Sequence, residues 1–289
     1  AAADIGVPVQ TSAFENSPSL WAPIMPRPGR AAYKHQRGHL KVISGPASAT
    51  GAARLAATAG LRVGAGLVTV LSPPGAVATN ASHLTAVMLQ AINGSDDLES
   101  AVATAQVVVI GPAAGITPAT RANVELLLRL DARVLLDADA LTVFDSAPKS
   151  LFKRLRPDDI MTPHVGEFRR LFGDIADSEV NKIETARRAA REAGCVVLLK
   201  GADTVIAAPD GRAIVNTHAT PWLATAGSGD VLAGLIAGLM AQGMPTFEAA
   251  AMAAWLHGEA GRRVGAGLVS EDLERQIPAI LGALHGEKA

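Results

Sequence analysis

Short apolar runs alternate with amphipathic stretches along most of the chain. Runs such as 107–110 and 196–199 are rich in valine, leucine and isoleucine, and each is followed by glycine, proline or a polar residue. The stretches between such runs repeat apolar positions every three to four residues, which is typical of helices. This alternation predicts βαβ units around a mostly parallel sheet, and therefore an α/β fold.

The carboxy-terminal part of the chain carries a different pattern. The segments 204–207 and 213–215 flank Asp210-Gly211, a pair typical of tight turns, and they predict an antiparallel hairpin. Three helices are then expected to close the chain, roughly over 228–242, 247–264 and 270–284.

The first thirty or so residues show neither the apolar runs typical of strands nor the repeat of apolar positions typical of helices. Five prolines interrupt this segment: Pro8, Pro18, Pro23, Pro26 and Pro28. The segment 1–32 is therefore expected to be an extended arm or linker, followed by one large domain over 33–289.

Composition and charge exclude several classes of protein. With 289 residues, 49% of them hydrophobic but only 3% aromatic, the chain can bury a large core of aliphatic and small side chains. A net charge of -1 without a basic cluster argues against nucleic-acid partners. The single cysteine, Cys195, is interpreted as a buried structural thiol in a reducing, cytoplasmic setting. The longest apolar helix candidate, 231–240, is too short for a membrane span, so no membrane partner is expected.

The candidate chemistry centres on residues 225–230, with the sequence Thr-Ala-Gly-Ser-Gly-Asp. Gly227 and Gly229 let the backbone approach an anion, and the following apolar run places the loop at the start of a helix. The amides of Gly227, Ser228 and Gly229 are thus expected to form an anion hole. The pattern is neither a Walker A motif nor a Rossmann fingerprint. Asp230 is either a helix cap or a catalytic carboxylate, and its place beside a helix N-terminus predicts a low pKa.

Seven blocks from residue 33 onward resemble a single family. They are Lys-His-Gln-Arg-Gly-His at 34–39, Thr-Gly-Ala-Ala at 50–53, Gly-Ala-Gly-Leu-Val at 64–68, Thr-Pro-His-Val-Gly-Glu-Phe at 162–168, Lys-Gly-Ala-Asp-Thr at 200–204, the segment 223–230, and His-Gly at 257–258. They are similar to the ADP- or ATP-dependent NAD(P)H-hydrate dehydratase, the carboxy-terminal YjeF type, of the ribokinase-like superfamily. The resemblance implies a three-layer α/β/α fold with helices on both faces of the central sheet.

The resemblance also implies a reaction. The S-epimer of hydrated NADH or NADPH would lose water and return to the reduced cofactor, while ADP or ATP is converted to AMP or ADP and phosphate. Phosphorylation of the ring hydroxyl makes a good leaving group, which the ring nitrogen can expel. By resemblance, Asp230 takes the hydroxyl proton during the attack on the terminal phosphate. Mg²⁺ is expected beside the polyphosphate, and resemblance to the bacterial branch favours ADP.

The family's ligand contacts map onto this chain by position. Contacts to the hydrated dinucleotide fall on Ala52, Gly115, His164 and Asp230. Contacts to the nucleotide fall on Lys200, Gly201, Ala202, Asp203, Thr204 and Gly229. Glu167 resembles the acidic residue that related kinases place near magnesium.

Several of these residues have simpler interpretations as well. A lysine that ends a strand, as Lys200 does, is commonly just solvated, and a lone histidine such as His164 is commonly structural. Glu167 is equally explained as an acidic residue in the first turn of a helix. Asp137 and Asp139 either act electrostatically or cap the next helix, and neither interpretation prevails.

The chain departs from the family pattern at two places. Gly-Pro-Ala-Ala-Gly at 111–115 replaces the usual Gly-Pro-Gly-Leu-Gly, which puts Ala113 where a glycine conformation is expected. Asn-Thr-His-Ala-Thr-Pro-Trp at 216–222 replaces the usual Asn-Thr-Thr-Gly-Asn-Pro-Gly. These changes bear on nucleotide fit or substrate preference rather than on the fold. His257 lies in an alanine-rich helical stretch and is interpreted as a packing residue.

Assembly and alternative functions complete the expectations. Residues 4–8 resemble the tail of the epimerase domain in bifunctional members, so 1–32 is expected to be a remnant of such a domain and the chain to be part of a fused protein. A homo-oligomer, a tetramer by resemblance, is expected. Two other functions stay open: a kinase of a small hydroxylated metabolite of the hydroxymethylpyrimidine or thiazole type, and a non-catalytic nucleotide-binding protein. A kinase would release a phosphorylated alcohol, whereas the dehydratase would release phosphate and a reduced nicotinamide.

Overall fold

A ten-stranded sheet runs through the computed structural model, which describes residues 12–29, 33–178 and 181–286. The strands are β1 (Ala13–Glu15), β2 (His39–Ile43), β3 (Leu67–Ser72), β4 (Met88–Ala91), β5 (Val107–Ile110), β6 (Arg133–Leu136), β7 (Ile160–Met161), β8 (Val196–Leu199), β9 (Thr204–Ala207) and β10 (Ala213–Asn216). Their order in the sheet is β1-β10-β9-β8-β7-β6-β5-β2-β3-β4.

Most neighbouring strands run parallel. Only β9 is antiparallel to its neighbours β8 and β10 among the described strands. The β9–β10 hairpin pairs Thr204 with Asn216 and Ala207 with Ala213 across the Asp210-Gly211 turn. The predicted hairpin and the mostly parallel sheet are both confirmed.

Helices cover both faces of the sheet. They are α1 (Gly51–Arg62), α2 (Val77–Ala81), α3 (Ser95–Val102), α4 (Pro118–Leu127), α5 (Asp139–Thr142), α6 (Pro148–Phe152), α7 (Val165–Ser178), α8 (Lys182–Ala193), α9 (Ser228–Ala241), α10 (Thr246–Val264) and α11 (Ser270–His285). The last three match the helices predicted for the carboxy-terminal part. No helix within the described residues is long and apolar enough to cross a membrane.

Two hydrophobic cores separate the three layers. Along β5, Val107 and Val109 point into the core shared with α1, α9, α10 and α11. The alternate residues Val108 and Ile110 point into the second core, which helices α3 to α8 cover. Because both faces of such a strand are buried, its sequence is apolar throughout rather than alternating. The predicted three-layer α/β/α architecture is confirmed.

The described part of the amino-terminal segment lies on the domain. β1 extends the sheet by pairing in parallel with β10. Asn16 donates hydrogen bonds to the Asn216 side chain at 2.8 Å and to the Ala251 carbonyl at 2.7 Å, and it accepts one from the indole of the fully buried Trp21 at 3.1 Å. Asn16, Trp21 and Met25 are therefore buried against the domain, within a segment that the sequence predicts to be an extended arm or linker. Residues 4–8, which resemble an epimerase tail, lie outside the described residues.

Candidate active site

Polar residues collect at the carboxyl ends of the parallel strands. Asp137 follows β6, His164 comes shortly after β7, and Lys200 follows β8. In parallel sheets these strand ends lie at the same edge, where open α/β folds bind their ligands. The first turn of α9 reaches the same edge, since a Cβ built on Gly229 would lie 3.7 Å from the Lys200 Nζ.

The loop 225–230, the predicted anion site, leads directly into helix α9. Gly227 precedes α9 with φ of +86°, and no described side chain caps the first amides of the helix. A Cβ on Gly227 would lie 2.6 Å from the Leu55 Cδ1, so only glycine fits this turn without strain. The hydroxyl of Ser270, at the start of α11, donates to the Ala226 carbonyl at 2.6 Å and holds the loop in place. The Ser228 amide donates to the Thr225 carbonyl at 3.4 Å, and the positive end of the helix dipole lies at this turn.

His257 of α10 supports the same loop. Its Nε2 lies 3.0 Å from the Ser228 carbonyl oxygen and 3.0 Å from the Ser228 hydroxyl. Burial lowers the pKa of His257 to about 4; the hydrogen bond to Ser228 opposes this shift and the nearby Lys200 adds to it. The interpretation of His257 as a packing residue is therefore incomplete, because the ring also contacts the anion loop.

Asp137 and Lys200 form an ion pair at the strand ends, in which Asp137 is buried and Lys200 is half-buried. The Lys200 Nζ lies 2.7 Å from the Asp137 Oδ1, and Asp137 is only 2% exposed. Burial disfavours the charge on Lys200, but Asp137, with smaller contributions from Glu167 and Asp230, outweighs it and raises the pKa of Lys200. Lys200 is thus a permanent cation facing the anion loop rather than a solvated lysine.

Asp230 is half-buried in the first turn of α9. Burial and the negative charge of Asp137 raise its pKa to about 6, while Lys200 opposes the shift. The expectation of a low pKa is wrong, because it took account of the helix N-terminus but not of desolvation or of a second carboxylate nearby. The carboxylate of Asp230 is consequently a stronger base than an ordinary aspartate, yet it is still mostly ionised at neutral pH.

A cavity of about 670 Å³ opens between the loop 200–204 and the start of α9. Its lining brings together seven residues of the predicted site: His164, Lys200, Gly201, Ala202, Thr204, Ser228 and Gly229. Asp203 is not among the described residues that line it, and its Oδ1 accepts a hydrogen bond from the Lys182 Nζ at 2.6 Å. The volume suits a ligand of nucleotide size.

A second cavity, of about 430 Å³, lies beyond the loop that follows β5. Pro46, Pro74 and Ile92 contribute apolar walls, and Gly115 also lines the cavity. The Gly115 amide donates to the Asp139 carboxylate at 2.8 Å, which fixes this loop to the start of α5. Of the other predicted dinucleotide contacts, Ala52 lies half-buried in the first turn of α1, and neither it nor Asp230 lines the described part of either cavity.

Two alanines beside the site adopt backbone conformations that favour glycine. Ala113 has φ of +52° and Ala138 has φ of +46°. Ala113 therefore takes the left-handed conformation expected of the glycine that the family usually has there, at a cost of about 1–2 kcal/mol. The alanine of the first departure from the family pattern therefore occupies a backbone conformation that is strained for any residue but glycine.

The second departure forms a wall of the larger cavity. The His218 ring stacks on Trp255 with ring centroids 4.9 Å apart, and its Nε2 lies 2.9 Å from a carboxylate oxygen of Glu259. A Cβ on Gly258 would overlap the His218 carbonyl oxygen, so α10 approaches this segment closely only because residue 258 is glycine. Ala219 and Pro221 line the cavity itself. The altered segment is therefore in a position to affect ligand fit.

Glu167 and His164 cap helix α7. The His164 amide donates to the Glu167 Oε2 at 2.8 Å, and the Gly166 amide donates to the His164 Nδ1 at 2.9 Å. This reciprocal arrangement is a capping box, which explains the buried Glu167 without a metal. Within the described ranges, no group of three or more histidine, cysteine, aspartate or glutamate side chains is arranged to hold a metal ion. A role for Glu167 beside magnesium stays a prediction.

Three structural contacts of the site were not found from the sequence. Asp137 pairs with Lys200, Asp139 holds Gly115, and Ser270 holds the anion loop. An aspartate directly after a buried strand was the available signal for Asp137. Nothing in the sequence marks Ser270, which lies 44 positions from its partner Ala226.

Comparisons with known proteins identify the family of the chain. A family model described as NAD(P)H-hydrate dehydratase matches residues 40–278. The bifunctional NAD(P)H-hydrate repair enzyme of Moorella thermoacetica is 38% identical over 99% of this chain, but the match covers only 58% of that enzyme. The chain thus spans little more than half the length of this relative. The ADP-dependent (S)-NAD(P)H-hydrate dehydratase of Xanthomonas campestris is 34% identical over 92% of this chain and 95% of its own length.

Solved structures show the same fold. A ribokinase-like superfamily protein of Enterococcus faecalis superposes with a TM-score of 0.84 at 24% identity, over 96% of this chain and 98% of the other. The ADP/ATP-dependent NAD(P)H-hydrate dehydratase of Bacillus subtilis, co-crystallised with ATP and Mg²⁺, gives a TM-score of 0.79 at 27% identity, over 93% and 97% of the two chains. The fold class and the family resemblance predicted from the sequence are both confirmed. The chain belongs to the NAD(P)H-hydrate dehydratase family and has a ribokinase-like fold.

Proposed function

We propose that this chain dehydrates the S-epimer of hydrated NADH or NADPH, with ADP or ATP as phosphoryl donor, and releases AMP or ADP and phosphate. The observation that carries the proposal is the meeting of three groups at one edge of the sheet: the Asp230 carboxylate, the Lys200 ammonium and the uncapped first turn of α9. Phosphoryl transfer to a hydroxyl requires these three kinds of group: a base, a cation and an anion hole.

The reaction proceeds in two stages. Asp230 accepts the proton of the ring hydroxyl as the hydroxyl oxygen attacks the terminal phosphorus of the nucleotide, and the bond to the nucleotide's bridging oxygen breaks. Lys200 and the amides of residues 227–229 offset the charge that develops on the transferring group. The ring nitrogen then expels the phosphorylated oxygen, and loss of a proton from the neighbouring ring carbon restores the reduced ring. Phosphate carries away the hydroxyl oxygen, so the atoms balance.

The two cavities suit the two substrates. Residues of the loop 200–204 line the larger cavity. We assign the nucleotide to this cavity, with the phosphates of the nucleotide toward Gly229. We assign the hydrated dinucleotide to the smaller cavity, which the predicted contact Gly115 lines, although another predicted contact, His164, lines the larger one. The apolar walls of that cavity suit a flat base of the dinucleotide.

A substitution in the smaller cavity tests this assignment. Ala119 is exposed at the start of α4 and lines the cavity, whereas the exposed Ala122 of the same helix does not. Ala119→Trp should raise the KM for hydrated NADH about tenfold or more, because it fills the cavity, and leave the KM for ADP unchanged. Ala122→Trp, the control, should change neither. Equal KM values for the dinucleotide in both variants would place its base elsewhere.

Magnesium fits this site as a companion of the polyphosphate. Mg²⁺ usually keeps several waters and binds through one or two carboxylates together with substrate phosphates, so the lack of a three-ligand cluster in the described residues is compatible with it. Glu167, close enough to Lys200 to influence its charge, is the carboxylate we propose on the protein side. Bound there, the ion would help neutralise charge on the transferring phosphoryl group.

The raised pKa of Asp230 predicts the acid limb of the pH profile. Asp230 acts as a base only when ionised, so kcat/KM should fall as the pH drops through about 6, well above the usual range of an aspartate. Asp137→Asn removes a negative charge that raises this pKa, and the limb should move to lower pH. The measurement is kcat/KM against pH for both proteins. A limb at the same pH in both would exclude Asp137 as a cause.

Products distinguish this proposal from a small-metabolite kinase. The dehydratase yields inorganic phosphate and a reduced nicotinamide, whereas a kinase yields a stable phosphorylated alcohol. Mass spectrometry of a reaction with hydrated NADH, ADP and Mg²⁺ should show NADH, AMP and phosphate in equal amounts. Accumulation of a phosphorylated dinucleotide without NADH would instead favour the kinase.

The cellular location, the number of subunits and the fusion to a further domain stay predictions. We propose a cytoplasmic homo-tetramer that in the whole protein is fused to an epimerase domain. The bifunctional name and greater length of the Moorella relative support the fusion. The native mass of the whole protein would test both the fusion and the number of subunits.

A further inference from the structure

We infer that His257 is a positioning residue that turns the Ser228 hydroxyl toward the phosphoryl group, so that this hydroxyl joins the amides of the loop as a hydrogen-bond donor. The inference rests on the proposed function, and it concerns a histidine that the sequence suggested was only packing. Both residues line the larger cavity, where the nucleotide is assigned.

The contacts of His257 fix where its ring hydrogen lies. Its Nε2 is 3.0 Å from the Ser228 carbonyl oxygen, which can only accept a hydrogen bond. The hydrogen must therefore be on Nε2, because a lone pair pointing at a carbonyl oxygen at this distance would be repelled. Burial lowers the pKa of the ring to about 4, so the ring is neutral at the pH where Asp230 is ionised.

The ring hydrogen in turn fixes the direction of the serine hydroxyl. The Ser228 Oγ lies 3.0 Å from the same Nε2. Since Nε2 carries the hydrogen, the Oγ can only accept from it and cannot donate to it. The hydrogen of the hydroxyl must then point away from the imidazole. Because the hydroxyl oxygen already accepts the hydrogen bond from His257, its own hydrogen can be donated to an anion in the cavity.

A donor held in place before the reaction has a catalytic advantage. Donors already aimed at the developing charge need no reorganisation during the reaction, and removal of one such donor typically costs about 10²–10³-fold in kcat. His257 need not contact the phosphate to contribute, because it acts through Ser228. Its effect should accordingly appear in kcat more than in nucleotide binding.

A double-mutant cycle tests this coupling. Ser228→Ala should lower kcat by about 10²-fold, and His257→Leu by about tenfold with the KM for ADP within about twofold of the original. The double variant should be no slower than Ser228→Ala alone, because His257 has no hydroxyl left to orient. His257→Gln should recover most of the loss, since its amide nitrogen lies as many bonds from Cβ as Nε2 does.

Each other outcome overturns the inference. Losses that multiply in the double variant would mean that His257 acts independently of Ser228, and a full kcat in Ser228→Ala would mean that the hydroxyl is not a donor. Should a buried leucine prevent folding, His257→Asn, whose amide is one bond shorter, replaces it in the cycle. Turnover of the unaltered chain in the same assay separates failure of this inference from failure of the proposed function.

Discussion

Replacement of Asp230 by asparagine should lower kcat by at least about 10³-fold while ADP still binds. The amide has nearly the same size as the carboxylate but cannot take a proton from the ring hydroxyl, and general-base catalysis typically contributes about 10²–10⁴-fold. Nucleotide affinity should not fall, because the change removes a negative charge close to Lys200. Single-turnover kinetics and calorimetric titration with ADP measure the two quantities separately.

Asp131→Asn is the control for this experiment. Asp131 is exposed and precedes β6, at the edge of the sheet opposite the carboxyl strand ends that form the site. It should retain full activity. Undiminished turnover in Asp230→Asn would remove this residue from the mechanism, and a parallel loss of ADP binding would indicate that the carboxylate shapes the pocket instead.

Replacement of Lys200 by methionine should impair both stability and nucleotide binding. Loss of the Lys200 ammonium group leaves Asp137 buried without a cation, which typically costs about 3–5 kcal/mol in the free energy of unfolding. The same change removes the cation that faces the phosphates, so ADP should bind at least about 10²-fold more weakly. Denaturant unfolding and ADP titration give the two effects.

A second substitution separates the two roles of Lys200. In Lys200→Met/Asp137→Asn the uncompensated charge is gone, so most of the stability should return, whereas ADP binding should stay weak. Lys182→Met is the control, because it breaks a more exposed pair with Asp203 and should cost less than about 1 kcal/mol. If the double variant recovered nucleotide affinity as well, Lys200 would serve only as the partner of Asp137.

The sequence predicted the central part of the fold better than its edges. Strands such as β5 and β8 are short apolar runs because both faces of the sheet are covered, so their pattern is strong. The edge strands β1 and β4 were missed. Residues Met88–Ala91 and Ala13–Glu15 are short and largely exposed, so neither has the apolar run of a central strand. In addition, β1 pairs with β10, which lies in the other half of the chain.

In the candidate site, too, local features could be predicted from the sequence, whereas contacts between distant positions could not. The loop 225–230 is local, and its glycines and helix start could be interpreted directly from the residues. The ion pair of Asp137 with Lys200 joins positions 63 apart, and no local pattern links them. The raised pKa of Asp230 depends on that same neighbour and on burial, which is why reasoning from the helix N-terminus alone gave the opposite direction.

The most direct test of the central claim is the return of the reduced-nicotinamide absorbance. The chain is incubated with hydrated NADH and Mg²⁺, with ADP in one reaction, ATP in a second and no nucleotide in a third. The predicted result is recovery that requires a nucleotide, stops when the S-epimer is consumed, and releases one phosphate for each NADH formed. No recovery with either nucleotide would contradict the assignment of the loop at 225–230 as a centre for cofactor repair.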